Sequence, residues 1–515
     1  MKKTVLVFLF ITILGTPIIL LAQEQPEKDI ANLKAAEAVM AKPFDEGPFQ
    51  PVNDSLKRIP CPEWFRDAKF GIWSHWTPAS VPGIDNGYPT DMYHQGSADY
   101  KFHLAHYGHP SEKGFRAVIE DWKAEKFNPQ ALMKKYVAAG AKYFFTISCH
   151  HDNFDNYASS YTRWNAVEMG PHRDIVGDWA KAARANNVHF GISSHADRAW
   201  WYYKGSYGAD TSGDKKGIPY DGNNPAYWSL YQKPHGPKDK PSPEFIALWY
   251  ARHREMIDKY QPELLYFDGP LPFSKEAGLK LAAHFYNVNA AKHNGKPEAV
   301  INVKGNFGIR DYERGVADSI TPNPWQDDTS LGGWFFLNTE STLKADKMSH
   351  TKTTAVVIHT LADVVSKNGN LLMNFPQYGD GSLYPECEQV LADLAKWMPI
   401  NGEAIFGTRP WKIFGEGPTM IKAAYMNEPK QPFTAKDIRF TTKGNVLYAI
   451  ILGWPGDGEI ITIQSLPKNT DSKILKTVKL LGSKSKITFS QDGEGLKVTL
   501  PSQKPCDYAV VLKLE

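Results

Sequence analysis

Asp268 closes the apolar run Leu264-Leu265-Tyr266-Phe267 and precedes Gly269-Pro270, so it stands where a buried strand gives out. A carboxylate presented there can serve as a nucleophile or a base; an Asp opening a turn before Gly-Pro is the plainer alternative. Other reactive side chains share this position. His75 ends the run from Lys69, His150 and His151 end the run from Lys142, His195 ends the run from Val188, and Lys304 ends the run from Ala299. Neighbouring strand residues point to opposite faces, so His150 and His151 can share a site only if the strand has ended or bulged there. With Asp152 they could ligate a metal, yet no His-Glu-x-x-His or further carboxylate–histidine spacing accompanies them. Neutral imidazoles on sugar hydroxyls fit better, and neither a metal nor another cofactor is expected. No nucleophile elbow, phosphate-binding loop or dinucleotide fingerprint occurs. What the residues can supply is a pair of carboxyl groups. Hydrolysis of a glycoside with retention needs one ionised group to attack the anomeric carbon. It needs a second, protonated one to release the leaving oxygen and then activate water.

The elements that position these residues alternate. Lys69–Trp76, Lys142–His150, Val188–Ala196, Leu264–Gly269, Ala299–Gly305, Asp318–Thr321 and Asn368–Phe375 read as buried strands. Amphipathic helices lie between several of them, with Ile175, Trp179 and Ala182 on one face and Val357, Leu361 and Val364 on another. Such alternation means a parallel barrel or a doubly wound sheet. A barrel gathers all its strand ends at one mouth, and so many reactive residues at strand ends favour it. Beyond Gly402 short alternating runs take over: Val446–Leu452, Glu459–Ile463, Lys473–Leu480, Lys486–Phe489, Leu496–Leu500 and Tyr508–Leu514. The expected fold is therefore α/β, a TIM-like (β/α) barrel followed by a C-terminal all-β sandwich. The expected divisions are a signal peptide over 1–22, an arm over 23–60, the barrel over 61–402 and the sandwich over 403–515.

A formal net charge of +3, part of it from Lys2 and Lys3, leaves no basic field for nucleic acid. Lys2-Lys3, the apolar run from Val5 to Leu14 and the small residue Ala22 read as a cleaved signal, placing the mature chain in the periplasm or medium with no membrane attachment. Cys61, Cys149, Cys387 and Cys506 are too widely spaced for a scaffold or metal motif; buried thiols and bridges are both open. Oligomeric state is not legible.

Several stretches together resemble the α-L-fucosidases of glycoside hydrolase family 29. They are Trp64-Phe65-Arg66-Asp67-Ala68-Lys69-Phe70-Gly71-Ile72 with His75-Trp76, then His150-His151-Asp152, Pro171-His172-Arg173-Asp174, Leu265-Tyr266-Phe267-Asp268-Gly269 and Ser366-Lys367-Asn368-Gly369-Asn370-Leu371-Leu372-Met373-Asn374. The last is Gly402-Glu403-Ala404-Ile405-Phe406-Gly407, and their order is the family's order. The resemblance implies an exo-acting, retaining α-L-fucosidase acting on fucosylated glycans. It implies that Asp268 is the nucleophile, Glu313 the acid/base, and that His75, His150 and His151 bind fucose hydroxyls. Trp76, Tyr93, His195, Trp200, Lys304 and Trp325 complete the expected substrate contacts. Relatives carry an Arg where Lys304 stands nearest, and a Lys cannot reproduce its bidentate fork. A glycan-binding barrel without turnover, and an enzyme of the same family acting on an α-L-galactoside, are the rival readings.

Residues 197–243 interleave Trp200, Trp201, Tyr202, Tyr203, Tyr207 and Tyr220 with Lys204, Lys215, Lys216, Lys233, Lys238 and Lys240. A long loop on the active face suits an anionic glycan such as a sulfated fucan; a self-packed insertion with solvated lysines is the plainer alternative.

Overall fold

The computed structural model describes residues 16–84, 87–335, 337, 351–419, 421–424, 426–428, 432–468 and 474–515, with side chains from residue 27. Lys2, Lys3 and the run Val5–Leu14 of the expected signal lie outside the described residues. Eight parallel strands close into a barrel: β1 (Phe70–Ser74), β2 (Tyr143–Cys149), β3 (His189–Ser194), β4 (Leu264–Phe267), β5 (Val300–Val303), β6 (Ile309–Glu313), β7 (Trp325–Ser330) and β8 (Gly369–Asn374). Closure is made by β1 on β8, with Ile72 opposite Met373.

Alternate residues fill the interior. Trp73, Tyr143, Phe145, Ile147, Leu264, Tyr266, Val300 and Leu372 form one buried cluster inside the barrel. The intervening residues, such as Ile72, Phe144, Ile192, Leu265 and Ile301, pack outward against the helices. Gly71 has no side chain to offer because the Tyr143 ring fills its place; a Cβ there would sit 2.3 Å from that ring. Helices Ile175–Ala185 and Thr354–Ser366 begin at Asp174 and Thr353, whose side chains accept from Gly177 N and Val356 N.

The wall is irregular on one side. Only residues 304–308 separate β5 from β6, and no helix lies among residues 314–324 between β6 and β7. The strand expected at Asp318–Thr321 does not form. Its place in the wall is taken by two strands of polar sequence, Ile309-Arg310-Asp311-Tyr312-Glu313 and Trp325-Gln326-Asp327-Asp328-Thr329-Ser330. A search for apolar runs passes over both.

The C-terminal strands are β9 (Arg409–Glu416), β10 (Ile438–Lys443), β11 (Val446–Ile451), β12 (Ile460–Ile463), β13 (Val478–Leu480), β14 (Thr488–Asp492), β15 (Gly495–Thr499) and β16 (Val510–Leu514). They make two antiparallel sheets, β13-β16-β11-β10-β9 and β12-β15-β14. The larger sheet is buried on both faces. Leu447, Ala449 and Ile451 face Leu496 and Val498 of the smaller sheet. Tyr448, Ile450 and Val511 join the core of the barrel's helices. A buried ion pair, Arg439 Nε to Asp363 Oδ1 at 2.6 Å, ties β10 to helix Thr354–Ser366.

Helix Thr16–Ala41 lies along helix Pro243–Tyr260. Asp29 Oδ2 there accepts from Ser229 Oγ at 2.6 Å and faces Arg163 at 3.4 Å. All four cysteines are free thiols. Among the described residues no helix is long and apolar enough to cross a membrane.

Candidate functional site

The barrel mouth is built from strand ends. Tyr266 points into the barrel, so Asp268, two residues on, is aimed at the mouth on the same side. Gly269 follows with φ 147°, a conformation that favours glycine; a Cβ there would also meet Arg198 Nη2 at 3.1 Å. That guanidinium donates to the Asp268 carbonyl at 2.9 Å. Lys304, just past β5, donates from one ammonium to Asp268 Oδ1 and to Glu313 Oε2, the latter at 2.5 Å. The other Asp268 oxygen faces His195 Nδ1 at 3.3 Å and His151 Nε2 at 3.6 Å. Burial would raise the Asp268 carboxyl, but His195, His151 and Lys304 outweigh it and hold the group well below the usual carboxylate range.

The paired histidines share the site because β2 does both things that would allow it. Its register with β3 shifts between Ile147 and Cys149, and the strand ends at Cys149. His150 and His151 then stack with ring centroids 4.2 Å apart. His75 lies 5.0 Å from His150 and 5.3 Å from His195, and His150 lies 4.8 Å from His195. Burial pushes His75 and His150 well below the usual imidazole range, with neighbouring imidazoles adding to the effect, and it lowers His151 too. Nδ1 of His75 and of His150 and Nε2 of His195 are buried without a protein hydrogen-bond partner. Such groups call for a ligand that can hydrogen-bond them.

Asp152 turns away from the mouth and accepts from Thr77 Oγ1 at 2.8 Å; burial raises it to about 6. The loop carrying the two histidines is held from behind. Arg252 on helix Pro243–Tyr260 donates to Asp155 Oδ2 at 2.9 Å and to Asn153 Oδ1 at 2.8 Å, and both Arg252 and Asp155 are buried.

Polar strands β6 and β7 supply the barrel interior beneath Lys304. Gln326 donates to Asp311 Oδ1 at 2.8 Å, Tyr143 to Gln326 Oε1 at 3.0 Å, and Tyr266 to Asp328 Oδ2 at 3.2 Å. Burial raises Asp311 and Asp328, and their mutual proximity raises Asp311 further.

Asp268, Glu313, His75, His150, His151, His195 and Lys304 are thus brought together. Four other expected contacts are not. Trp76 is buried against Trp122 and Phe127 and donates to the Tyr378 carbonyl at 2.8 Å. Tyr93 is buried and donates to Asp221 at 2.9 Å. Trp200 stacks on His235 at 4.1 Å and donates to the Asp239 carbonyl at 3.0 Å. Trp325 opens β7, so it lies at the end of the barrel away from Asp268, donating to the Lys367 carbonyl at 3.0 Å. The segment 197–243 largely packs on itself and its neighbours: Lys215 pairs with Glu112 at 2.6 Å and Lys233 lies over the Trp228 ring.

Tyr202, the one aromatic of that segment placed against a site histidine, has its ring 5.3 Å from His151. Sequence reasoning passed over Trp73, Arg198, Trp334 and Phe335, and named Tyr202 only as one aromatic of the 197–243 loop. Phe335 lies 4.7 Å from the His75 ring and 5.0 Å from that of His150, and Trp334 lies 5.3 Å from His75. Trp73 was findable, since it shares the strand face of His75 two residues on; nothing local marks Trp334 or Phe335.

Comparison with known proteins agrees with this geometry. Residues 36–403 match the family model described as alpha-L-fucosidase, and residues 430–515 match the alpha-L-fucosidase C-terminal domain. The chain is 28% identical to the alpha-L-fucosidase of Branchiostoma floridae, over 91% of this chain and 96% of that one. It is 28% identical to the tissue alpha-L-fucosidase of Rattus norvegicus, over 90% of each. The crystal structure of Thermotoga maritima alpha-fucosidase in complex with fucose is similar, with a TM-score of 0.68, 26% identity and coverage of 91% of this chain and 100% of that one.

Proposed function

This chain belongs to the α-L-fucosidase family of glycoside hydrolases, and on that footing we propose that it releases terminal L-fucose from glycans by double displacement. Asp268 attacks the anomeric carbon and forms a covalent fucosyl-enzyme. Glu313 protonates the departing oxygen, then takes a proton from the water that cleaves the intermediate. One observation carries the retaining stereochemistry. A single Lys304 ammonium touches both carboxyl groups, so their nearest oxygens stand no more than about 5 Å apart, the spacing of retaining rather than inverting enzymes. The low-lying Asp268 carboxyl is ionised at neutral pH, as a nucleophile must be.

The neutral imidazoles of His75 and His150 offer donors and acceptors to sugar hydroxyls, and Phe335 with the face of Trp334 offers an apolar wall for the fucose methyl group. A sulfated or otherwise anionic glycan is a second reading. It is favoured by Arg198, which stands beside Asp268 with its side chain half exposed, more than by the lysines of the insertion. Export rests on the N-terminal Lys2-Lys3 and apolar run. The test is proton NMR of the first product formed from an aryl α-L-fucoside. Early α-L-fucose is the expected outcome; early β-L-fucose would refute double displacement, and no turnover by folded protein would return the chain to glycan binding.

A further inference from the structure

The unpartnered imidazoles also have the chemistry of a metal site. We infer that His75, His150 and His195 form a binding site for a divalent transition-metal ion with nitrogen preference, represented by Zn2+, which excludes the sugar when it binds. The exclusion rests on the fucoside reading above; the binding itself does not.

Three strand ends, those of β1, β2 and β3, bring the three rings to one point, and each ring is nearly fully buried. Their candidate ligand nitrogens all lie within 4.8 Å of one another. Around a tetrahedral zinc with Zn–N near 2.0–2.1 Å, imidazole centroids stand about 5 Å apart. The three centroid separations here are 5.0, 5.3 and 4.8 Å. A bound ion would draw the nitrogens inward to about 3.4 Å from one another, a motion of the rings and not of the strands.

The ring set has the support that metal-ligating histidines have elsewhere. His195 faces the Asp268 carboxylate with Nδ1 at 3.3 Å, which leaves its buried Nε2 for the ion. A carboxylate behind a ligating imidazole fixes its tautomer and strengthens the ligand. Three neutral nitrogens select zinc, copper or nickel and reject magnesium and calcium, which need oxygen. With three protein ligands the fourth position is left to water. A second trio, His151, His195 and Asp268, shares His195 and is the competing arrangement; His151 and Asp268 are less buried than His75 and His150, and His151 carries the distinction in the test.

The experiment is calorimetric titration of EDTA-stripped protein with ZnCl2 at pH 7, with MgCl2 as control and melting curves to check that each variant folds. One zinc per chain is expected, with no heat from magnesium. His75→Ala and His150→Ala are each expected to weaken binding by about 100-fold or more, since even an outer partner of a ligand is worth 10–100-fold. His151→Ala is expected to keep wild-type affinity. Absence of binding to the wild type overturns the inference, as does full affinity in His75→Ala and His150→Ala, which would place zinc elsewhere, for instance on the half-buried thiols of Cys61 or Cys506. Loss confined to His151→Ala overturns it in favour of the second trio. Saturating L-fucose is expected to raise the apparent Kd for zinc. Zinc binding that is intact but indifferent to L-fucose would overturn the exclusion, with the fucose reading of the pocket on which it rests, and leave the metal binding standing.

Discussion

Replacing Lys304 by Gln tests the electrostatics of the mouth most directly. The ammonium contacts Asp268 Oδ1 and Glu313 Oε2 and is itself largely buried, with its side chain 17% exposed. Burial would strip its proton, yet Asp328, Asp268 and Glu313 hold it protonated far above the pH of any assay. At contact, about 4 Å between charge centres and an effective dielectric near 20, such a pair is worth about 4 kcal/mol, or about 3 pH units. A Gln amide recovers part of that by hydrogen bonding, so the Asp268 carboxyl should rise by about 2 units. The sign follows from its role. The nucleophile works ionised, so kcat/KM falls as pH drops through its pKa in the free enzyme. In the wild type this acidic limb lies well below the usual carboxylate range, and in Lys304→Gln it should move up by about 2 units. The assay is a pH profile of kcat/KM with an aryl α-L-fucoside, whose good leaving group keeps the acid/base residue from masking the limb. An unmoved limb in a folded variant would refute the argument that Lys304 sets the charge state of Asp268.

Glu313→Ala should lose about 10³-fold, near 4 kcal/mol, on a natural fucoside, yet keep part of the first step on an aryl fucoside and yield α-fucosyl azide when azide is added, because azide inverts the β-linked intermediate a second time; mass spectrometry and NMR of the azide product check this, and near wild-type turnover would move the role to Asp311, Asp327 or Asp328. Arg252→Met should cost about 3–5 kcal/mol in chemical denaturation, because it leaves buried Asp155 uncompensated behind the His150-His151 loop. An α-L-galactoside should be at least about tenfold poorer in kcat/KM than the fucoside, since the Phe335 side of the pocket gives its extra hydroxyl no partner, a cost of about 1–3 kcal/mol.

The legible parts of the molecule were those where local pattern and tertiary role agree. Six barrel strands are apolar on both faces because helices cover one side and packed side chains the other, so β1 to β5 and β8 announce themselves. The same logic hides β6 and β7, whose inward residues Asp311, Gln326 and Asp328 satisfy one another in a polar interior. β9 and β10 were passed over for a related reason, since charged residues, Arg409, Lys412 and Glu416 in one and Arg439 and Lys443 in the other, dilute the alternation. Histidines at strand ends could be grouped from sequence because a barrel fixes where strand ends go. Aromatics could not be sorted that way. Trp76, Tyr93, Trp200 and Trp325 serve packing, and Phe335 reaches the pocket only through the course of the chain after β7.

The four free cysteines bear on where this fold can be made. Burial pushes the Cys61 thiol up to about 12 and raises those of Cys149, Cys387 and Cys506, so none offers an appreciable thiolate at neutral pH. Without thiolates there is little exchange chemistry, and without bridges no step of maturation waits on an oxidant. The polypeptide should therefore reach the same native state in a reducing cytosol as in an oxidising compartment, and dithiothreitol should leave its melting temperature unchanged. For the recombinant enzyme, the choice of host becomes a question of yield rather than of redox environment.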